Sequence, residues 1–123
     1  MKKSMIIIIL LVSSIITLLL MMQSCGTVKR VSVLNYSTPL SADTEVEIYS
    51  STQQIPSNLL FLGTVSIGDG GFTTKCSYSE VINDLKQQSL AVGGNVLVIT
   101  MHKEPSFAST CHRIKADVYK KKN

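Results

Sequence analysis

The chain opens on two lysines, Lys2 and Lys3, and continues into an uncharged apolar run from Met5 to Met22. A short positive segment followed by an apolar run is the pattern of an export signal. The run is also close to the roughly 20 residues that a helix needs to span a bilayer, so its length alone allows an uncleaved membrane anchor. Since this run inflates the 45% share of hydrophobic residues, that share does not indicate a large core.

The residues that end the apolar run favour cleavage over a membrane-spanning anchor. A medium apolar residue stands three positions before a cysteine, a small residue stands directly before it and a glycine follows it: Met22, Gln23, Ser24, Cys25, Gly26. This resembles the lipobox of bacterial lipoproteins, although leucine and a small residue are commoner at positions 22 and 23. The resemblance implies that residues 1–24 are a lipoprotein signal peptide. It also implies that the Cys25 thiol carries diacylglycerol and that its new amino group is acylated, as with palmitate. An uncleaved anchor and a cleaved signal with a free thiol are the alternatives.

Lipid on Cys25 would place the mature chain on a membrane without crossing it. Each buried methylene group contributes about 0.8 kcal/mol, so two or three acyl chains give stable anchoring. Gly26 after the cysteine resembles outer-membrane lipoproteins, and the lack of an acidic cluster behind it resembles those that face the periplasm. We therefore expect a lipid-anchored protein of the bacterial cell envelope, at the outer membrane and facing the periplasm.

Export also bears on the remaining cysteines, because disulfides persist outside the cytoplasm. With Cys25 lipidated, Cys76 and Cys111 are left as a pair, which predicts one disulfide. It would close a loop of about 35 residues, worth roughly 3.5 to 4 kcal/mol in the chain-entropy account. The alternatives are two free thiols, or a metal site with His102 and His112, whose spacing fits no usual pattern of paired ligands.

The rest of the chain shows the patterns of strands and one helix. Polar and apolar alternation, or a short unbroken apolar run, predicts four strands: Glu45–Tyr49, Leu59–Ile67, Val96–Met101 and His112–Tyr119. Between the second and third strands, Ser77 to Glu80 has the form of a capping box that begins a helix, and Gly93 ends that helix. We therefore expect an α+β fold, with a small sheet of about four strands and one main helix packed on one face, after an N-terminal signal helix.

These patterns divide the chain into four parts. The signal peptide of residues 1–24 is followed by residues 25–43, the lipidated N-terminus and a tether that would reach roughly 60 Å when extended. Val31, Val33 and Tyr36 would allow a short added strand in this tether. Residues 44–120 form the small α+β domain, and residues 121–123 form a basic tail.

Short motifs along the predicted domain carry a second resemblance. They are Glu45–Tyr49 with a proline after it, the Leu-Gly-x-Val of Leu62–Val65, and the Ala-x-Gly-Gly-Asn of Ala91–Asn95 that runs into an apolar strand. Over roughly residues 45–119 they are similar to the RcsF and YbjQ group of small domains. RcsF is a lipoprotein that senses envelope stress and carries two disulfides between its loops. The resemblance implies the fold, the lipid anchor and one of those bridges, Cys76–Cys111. The cysteines of the second bridge and the long proline-rich linker of RcsF are absent from this sequence.

The polar residues give no sign of catalysis. The eight acidic residues form no pair at a recognisable spacing, and His102 and His112 have no carboxylate or nucleophile at a fixed offset. We therefore expect a protein that is not an enzyme and that holds no cofactor or metal. Without residues 1–24 the chain carries ten basic and eight acidic residues, and a net charge of +2 is too weak to favour nucleic acid.

The expected function is a non-catalytic binding or stress-sensing domain presented at a membrane. Beyond the membrane itself, the expected partner is an envelope protein that contacts the loops between strands, through the candidate residues Asp69, Phe72, Lys75, Lys103 and Phe107. One alternative is a structural protein that self-associates into rings, as some YbjQ-like proteins are thought to do; homo-oligomerisation is thus left open. A hydrolase of envelope polymers is the less favoured alternative, and it predicts a deep polar cleft around His102 or His112.

Overall fold

The computed structural model describes residues 2–20, 27–70 and 75–122. Within these residues the five strands form one mixed sheet in the order β1-β3-β5-β4-β2. Neighbouring strands are antiparallel, except that β2 lies parallel to β4. The helices and strands are α1 (Lys2–Leu20), β1 (Val28–Val33), β2 (Glu47–Ser50), β3 (Leu59–Gly68), α2 (Tyr78–Ala91), β4 (Val96–Lys103) and β5 (Arg113–Lys121).

The predicted fold class is wrong in its number of strands. The sequence predicts a sheet of about four strands, whereas the described residues form five strands and two helices, of which α2 is the main one. The fifth strand is β1, which lies in the segment predicted as a tether. Five of its six residues are exposed, so it lacks the alternation of buried and exposed residues that marks a half-buried strand. Its backbone pairs with β3, and it is this pairing that makes it a strand.

Gly63 lets β1 lie directly against β3. It pairs with Val33 beside a register shift of β3 against β5. A Cβ added at Gly63 would collide with the backbone carbonyl of Ser32. The absence of a side chain at Gly63 therefore permits the close backbone approach of β1.

α1 takes up most of the apolar run at the start of the chain. Its described side chains, at residues 3–19, are all exposed. Among the residues that the structure describes, no helix has the length and hydropathy needed to cross a membrane. Cys25 and the residues around it lie outside the described ranges, so its lipidation stays a prediction.

α2 begins and ends as predicted. The Glu80 amide donates to the Ser77 hydroxyl at 3.4 Å, and the Ser77 amide donates to the Glu80 carboxylate at 3.0 Å, which completes the capping box. At the other end Gly93 has a φ of 86°, the left-handed conformation that favours glycine. Ser89 is fully buried near this end, and its hydroxyl donates to the Gly94 carbonyl at 3.0 Å.

The core lies between α2 and one face of the sheet. Val81 and Leu85 of α2 are fully buried. The apolar residues of β3 and β5 that face α2 are also fully buried: Val65, Ile67, Ile114, Ala116 and Val118. The buried cluster contains Val46, Leu62, Val65, Ile67, Cys76, Val81, Leu85, Leu90, Leu97, Cys111, Ile114, Ala116 and Val118. Since α2 covers only this face, the opposite face of the sheet, which we call the open face, has no helix of the described domain packed on it.

The segment after β1 runs from the sheet to the C-terminal end of α2. The Leu34 amide donates to the Leu62 carbonyl at 2.8 Å, and the Leu40 amide donates to the Leu90 carbonyl of α2 at 2.9 Å. Residues 28–40 are therefore attached to both the sheet and the helix, and do not act as a free tether.

An ion pair fastens the short edge strand β2 to the end of β5. The Lys121 ammonium bonds the Glu47 carboxylate, and the Tyr49 hydroxyl donates to the same carboxylate at 2.7 Å. The bond from Lys121 and then the bond from Tyr49 hold the pKa of Glu47 below its ordinary value of 4.5.

We expect Glu47→Gln to lower the free energy of unfolding at pH 7 and to have no effect in strong acid. A carboxylate whose pKa is lowered by folding stabilises the protein above its unfolded pKa, and this contribution is lost as the pH falls through the folded pKa. The effect is small because both side chains are 38% exposed. Urea unfolding between pH 7 and pH 2 measures it, with Glu104→Gln as the control for charge. A difference between wild type and Glu47→Gln that persists in strong acid would contradict the assignment.

Candidate functional site

Four strand ends meet at one end of the sheet. Because β1 and β5 run opposite to β3 and β4, the first two begin where the other two end. The register pairs Val28 with Gly68 and Lys103 with Arg113 at this end. We call it the disulfide end, after the bond between the loops that leave it.

The predicted disulfide between Cys76 and Cys111 is confirmed. Their Cα atoms are 5.0 Å apart, and both residues are buried in the core cluster. The His112 amide also donates to the Cys76 carbonyl at 3.2 Å. Because both sulfur atoms are used in this bond, Cys76 and Cys111 are neither free thiols nor metal ligands. Among the described residues, no three His, Cys, Asp or Glu side chains are grouped so as to hold a metal ion.

The β4–β5 connection ends in a tight turn at the disulfide end. Ser106 and Ser109 exchange backbone hydrogen bonds of 2.7 and 3.1 Å, which leaves Phe107 at the tip. The Phe107 side chain is fully exposed. The Ser109 hydroxyl donates to the Asp69 carboxylate at 2.6 Å, so the turn is fastened to the loop that follows β3. An aromatic ring is thus exposed to solvent on a turn that is closed by backbone hydrogen bonds and bonded to the neighbouring loop.

A basic groove lies on the open face next to this turn. It has a volume of about 230 Å³ and carries three cationic side chains, Arg30, Lys103 and Arg113. The Nε atom of Arg113 is buried and has no hydrogen-bond partner within the described part of the chain. The lining residues are Val28, Arg30, Ser66, Ile67, Gly68, Asp69, Met101, Lys103 and Arg113. Three cations and one carboxylate make this groove suited to an anion.

On the helix side of the disulfide end, two histidines form a hydrogen-bonded pair. The Nε2 atom of His102 lies 3.0 Å from the Nδ1 atom of His112, so one ring donates and the other accepts. The Tyr78 ring, at the start of α2, lies 5.3 Å from the first ring and 5.7 Å from the second. His102 is exposed and His112 is half-buried. The pair therefore belongs to the surface of the domain.

The candidate contact residues fall at this end of the sheet as far as the structure describes them. Lys103 lines the groove, Asp69 borders it and Phe107 stands at the turn. Lys75 is exposed in the same connection as Cys76. Phe72 lies outside the described residues. Arg30 was predicted to lie in the tether, where with Lys29 it could rest on phosphate headgroups, and its place in this groove was not predicted. Arg113 was missed, because its place beside Lys103 depends on the register of β4 and β5.

The start of β1 is fixed to α2 by one carboxylate. The Asp84 side chain accepts a hydrogen bond from the Thr27 hydroxyl at 3.2 Å and forms an ion pair with Lys29 at 2.8 Å. Thr27 therefore has a defined place beside the helix. In the sequence, only Gly26 and Thr27 separate Cys25 from the first residue of β1.

No protein-family model, curated protein or solved structure matches this chain. The likeness to the RcsF and YbjQ group therefore rests on the short motifs in the sequence alone.

Proposed function

We propose that this chain is an envelope lipoprotein whose small domain is a non-catalytic binding or sensing module, held at a membrane by lipid on Cys25. The observation that carries the proposal is the buried Cys76–Cys111 disulfide. A disulfide of this kind fits an exported protein, and of the three cysteines in the sequence it leaves Cys25 outside the bond. The apolar run and the lipobox-like residues before Cys25 account for that cysteine.

The charge and shape of the disulfide end support binding rather than catalysis. The groove with Arg30, Lys103 and Arg113 presents fixed positive charge, and the nearby Phe107 presents apolar surface. Such a surface recognises an anionic partner by charge and contact area. The similarity to RcsF favours a domain that senses envelope stress through this binding.

A ring-forming structural protein is the second candidate, because β1 and β2 are open edges of the sheet. The lysine and arginine of β1, Lys29 and Arg30, oppose the pairing of two such edges. We therefore expect the Cys25→Ser protein, purified without its signal peptide, to run as a monomer in size-exclusion chromatography with light scattering. A larger assembly of defined size would favour the ring.

The intact mass of the protein purified from bacterial membranes tests the proposed function. We expect a chain that begins at Cys25, carries the mass of two or three acyl chains and gains two hydrogens on reduction. Cys25→Ser is the matched control and should carry no acyl mass. A wild-type chain that keeps residues 1–24, or that begins at Cys25 without acyl mass, would overturn the proposal.

A further inference from the structure

We propose that the disulfide end rests on the membrane that holds the anchor. Arg30, Lys103 and Arg113 there bind the phosphate groups of anionic lipid headgroups, and Phe107 enters the interfacial layer. This inference rests on the proposed lipid at Cys25, but it makes a separate claim about which surface of the domain faces the bilayer.

The proposed anchor lies a short distance from the sheet. Three peptide units lead from Cys25 to Val28, and at about 3.6 Å each they span at most about 11 Å. Thr27 is already fixed to Asp84 of α2 at 3.2 Å. The strand that starts at Val28 therefore begins within about 11 Å of the lipid on Cys25, a distance comparable to the 10 to 15 Å that the two polar layers together add to the hydrocarbon core.

The direction of the strands places the loops on the same side of the domain as the proposed anchor. β1 begins at the disulfide end, where Val28 pairs with Gly68. The loops that carry Asp69 and Phe107 leave from the same end, and the Ser109–Asp69 hydrogen bond joins them. An anchor attached directly before β1 therefore brings these loops to the membrane and keeps them from projecting away from it.

The groove at the disulfide end carries positive charge. Arg30 and Lys103 are exposed, and Arg113 lies between them in the groove with a buried Nε atom that no described residue bonds. Guanidinium groups match phosphate oxygens in pairs, and the surface potential of anionic lipid attracts lysine and arginine within a Debye length. The Asp69 carboxylate accepts a hydrogen bond from Ser109 and borders the same groove, which leaves three cations against one anion there.

An exposed aromatic ring lies at the same end of the sheet. Phe107 stands at the tip of a turn that two backbone hydrogen bonds close. An aromatic ring beside lysine and arginine is the composition of a surface that lies in the headgroup layer, with the ring towards the acyl chains and the cations towards the phosphates. The turn fixes the backbone that carries the ring before contact, so the loss of backbone conformational entropy on entering the layer is small.

Fluorescence in reconstituted vesicles tests the orientation, because the chain contains no tryptophan. The lipidated protein that begins at Cys25, with Phe107→Trp, is placed in vesicles that contain phosphatidylglycerol and brominated lipid. Tyr36→Trp is the matched control, since Tyr36 is 92% exposed and follows the opposite end of β1. We expect quenching severalfold stronger for Phe107→Trp, with emission shifted to shorter wavelength. Equal quenching of the two variants would overturn the orientation and would leave the disulfide end open to a protein partner.

A second arm tests the phosphate contact. In the Phe107→Trp background, Arg30→Glu with Lys103→Glu is compared with Lys86→Glu and Lys122→Glu, which change the net charge equally but lie away from the groove. We expect the groove pair to lose most of the quenching in anionic vesicles and the control pair to keep it. The Phe107→Trp protein with its groove residues unchanged should also show weaker quenching in vesicles of phosphatidylcholine alone. The same loss is expected in 1 M salt, where the Debye length is about 3 Å.

The outcomes separate this inference from the proposed function. Acyl mass on Cys25 together with equal behaviour of the two charge variants would overturn phosphate binding and leave the lipoprotein assignment intact. A chain without acyl mass would overturn the lipoprotein assignment first. Urea unfolding of each variant shows whether its domain is folded, so a loss of quenching in a stably folded variant reports the contact itself.

Discussion

Replacing Cys76 and Cys111 together by alanine is expected to lower the free energy of unfolding by about 3.5 to 4 kcal/mol. The bond joins residues 35 positions apart, so its loss lets the unfolded chain explore many more conformations. A domain of this size buries a modest core, so a loss of this magnitude takes away much of its stability. Urea unfolding followed by circular dichroism measures it.

Reduction of the wild-type protein serves as the matched control, because it breaks the same bond without changing the sequence. We expect the reduced wild type and the double variant to unfold at similar urea concentrations. A loss below about 1 kcal/mol in both would contradict the prediction, and would show that the Ser109–Asp69 hydrogen bond and the core already restrain the two loops.

Leu85→Ala is expected to cost about 2 to 5 kcal/mol, because it removes buried methylene groups and leaves a cavity between α2 and the sheet. Leu85 is 0% exposed and lies in the core cluster. Leu34→Ala deletes the same atoms from a side chain that is 71% exposed, so it is the matched control and should change stability by no more than about 0.5 kcal/mol. Similar losses in the two variants would mean that the core does not lie where the structure places it.

The features that could be predicted from the sequence are those that depend on neighbouring residues. The capping box needs only Ser77 and Glu80, and the end of α2 needs only a glycine such as Gly93 that adopts a positive φ. The disulfide needed one further step, since export and the use of Cys25 left two cysteines to pair. Each of these predictions follows from local chemistry or from a count.

The features that were missed depend on pairing between distant residues. Val31 and Val33 allowed a short added strand, but no side chain of β1 is buried. Nothing in Val28–Val33 indicates that β3, some 30 residues later, offers this strand an edge. The basic groove has the same cause, because Arg30 meets Lys103 and Arg113 only through the register of four strands. The two histidines also meet by register, as His102 lies opposite Ile114, beside His112. A sequence pattern indicates which face a residue occupies, but not which strand lies beside it.

The place of β5 in the sheet has a consequence for the order of events during synthesis. β5 is the last of the described strands in sequence order, yet it lies in the middle of the sheet, between β3 and β4. No arrangement of the earlier strands reproduces the sheet, so folding waits until residues 113–121 have emerged. Residue 25 emerges long before that, and a lipid attached there would hold an unfolded chain at the membrane surface. The domain would then complete its sheet with its first strand already fixed to the place where the finished protein is to stay.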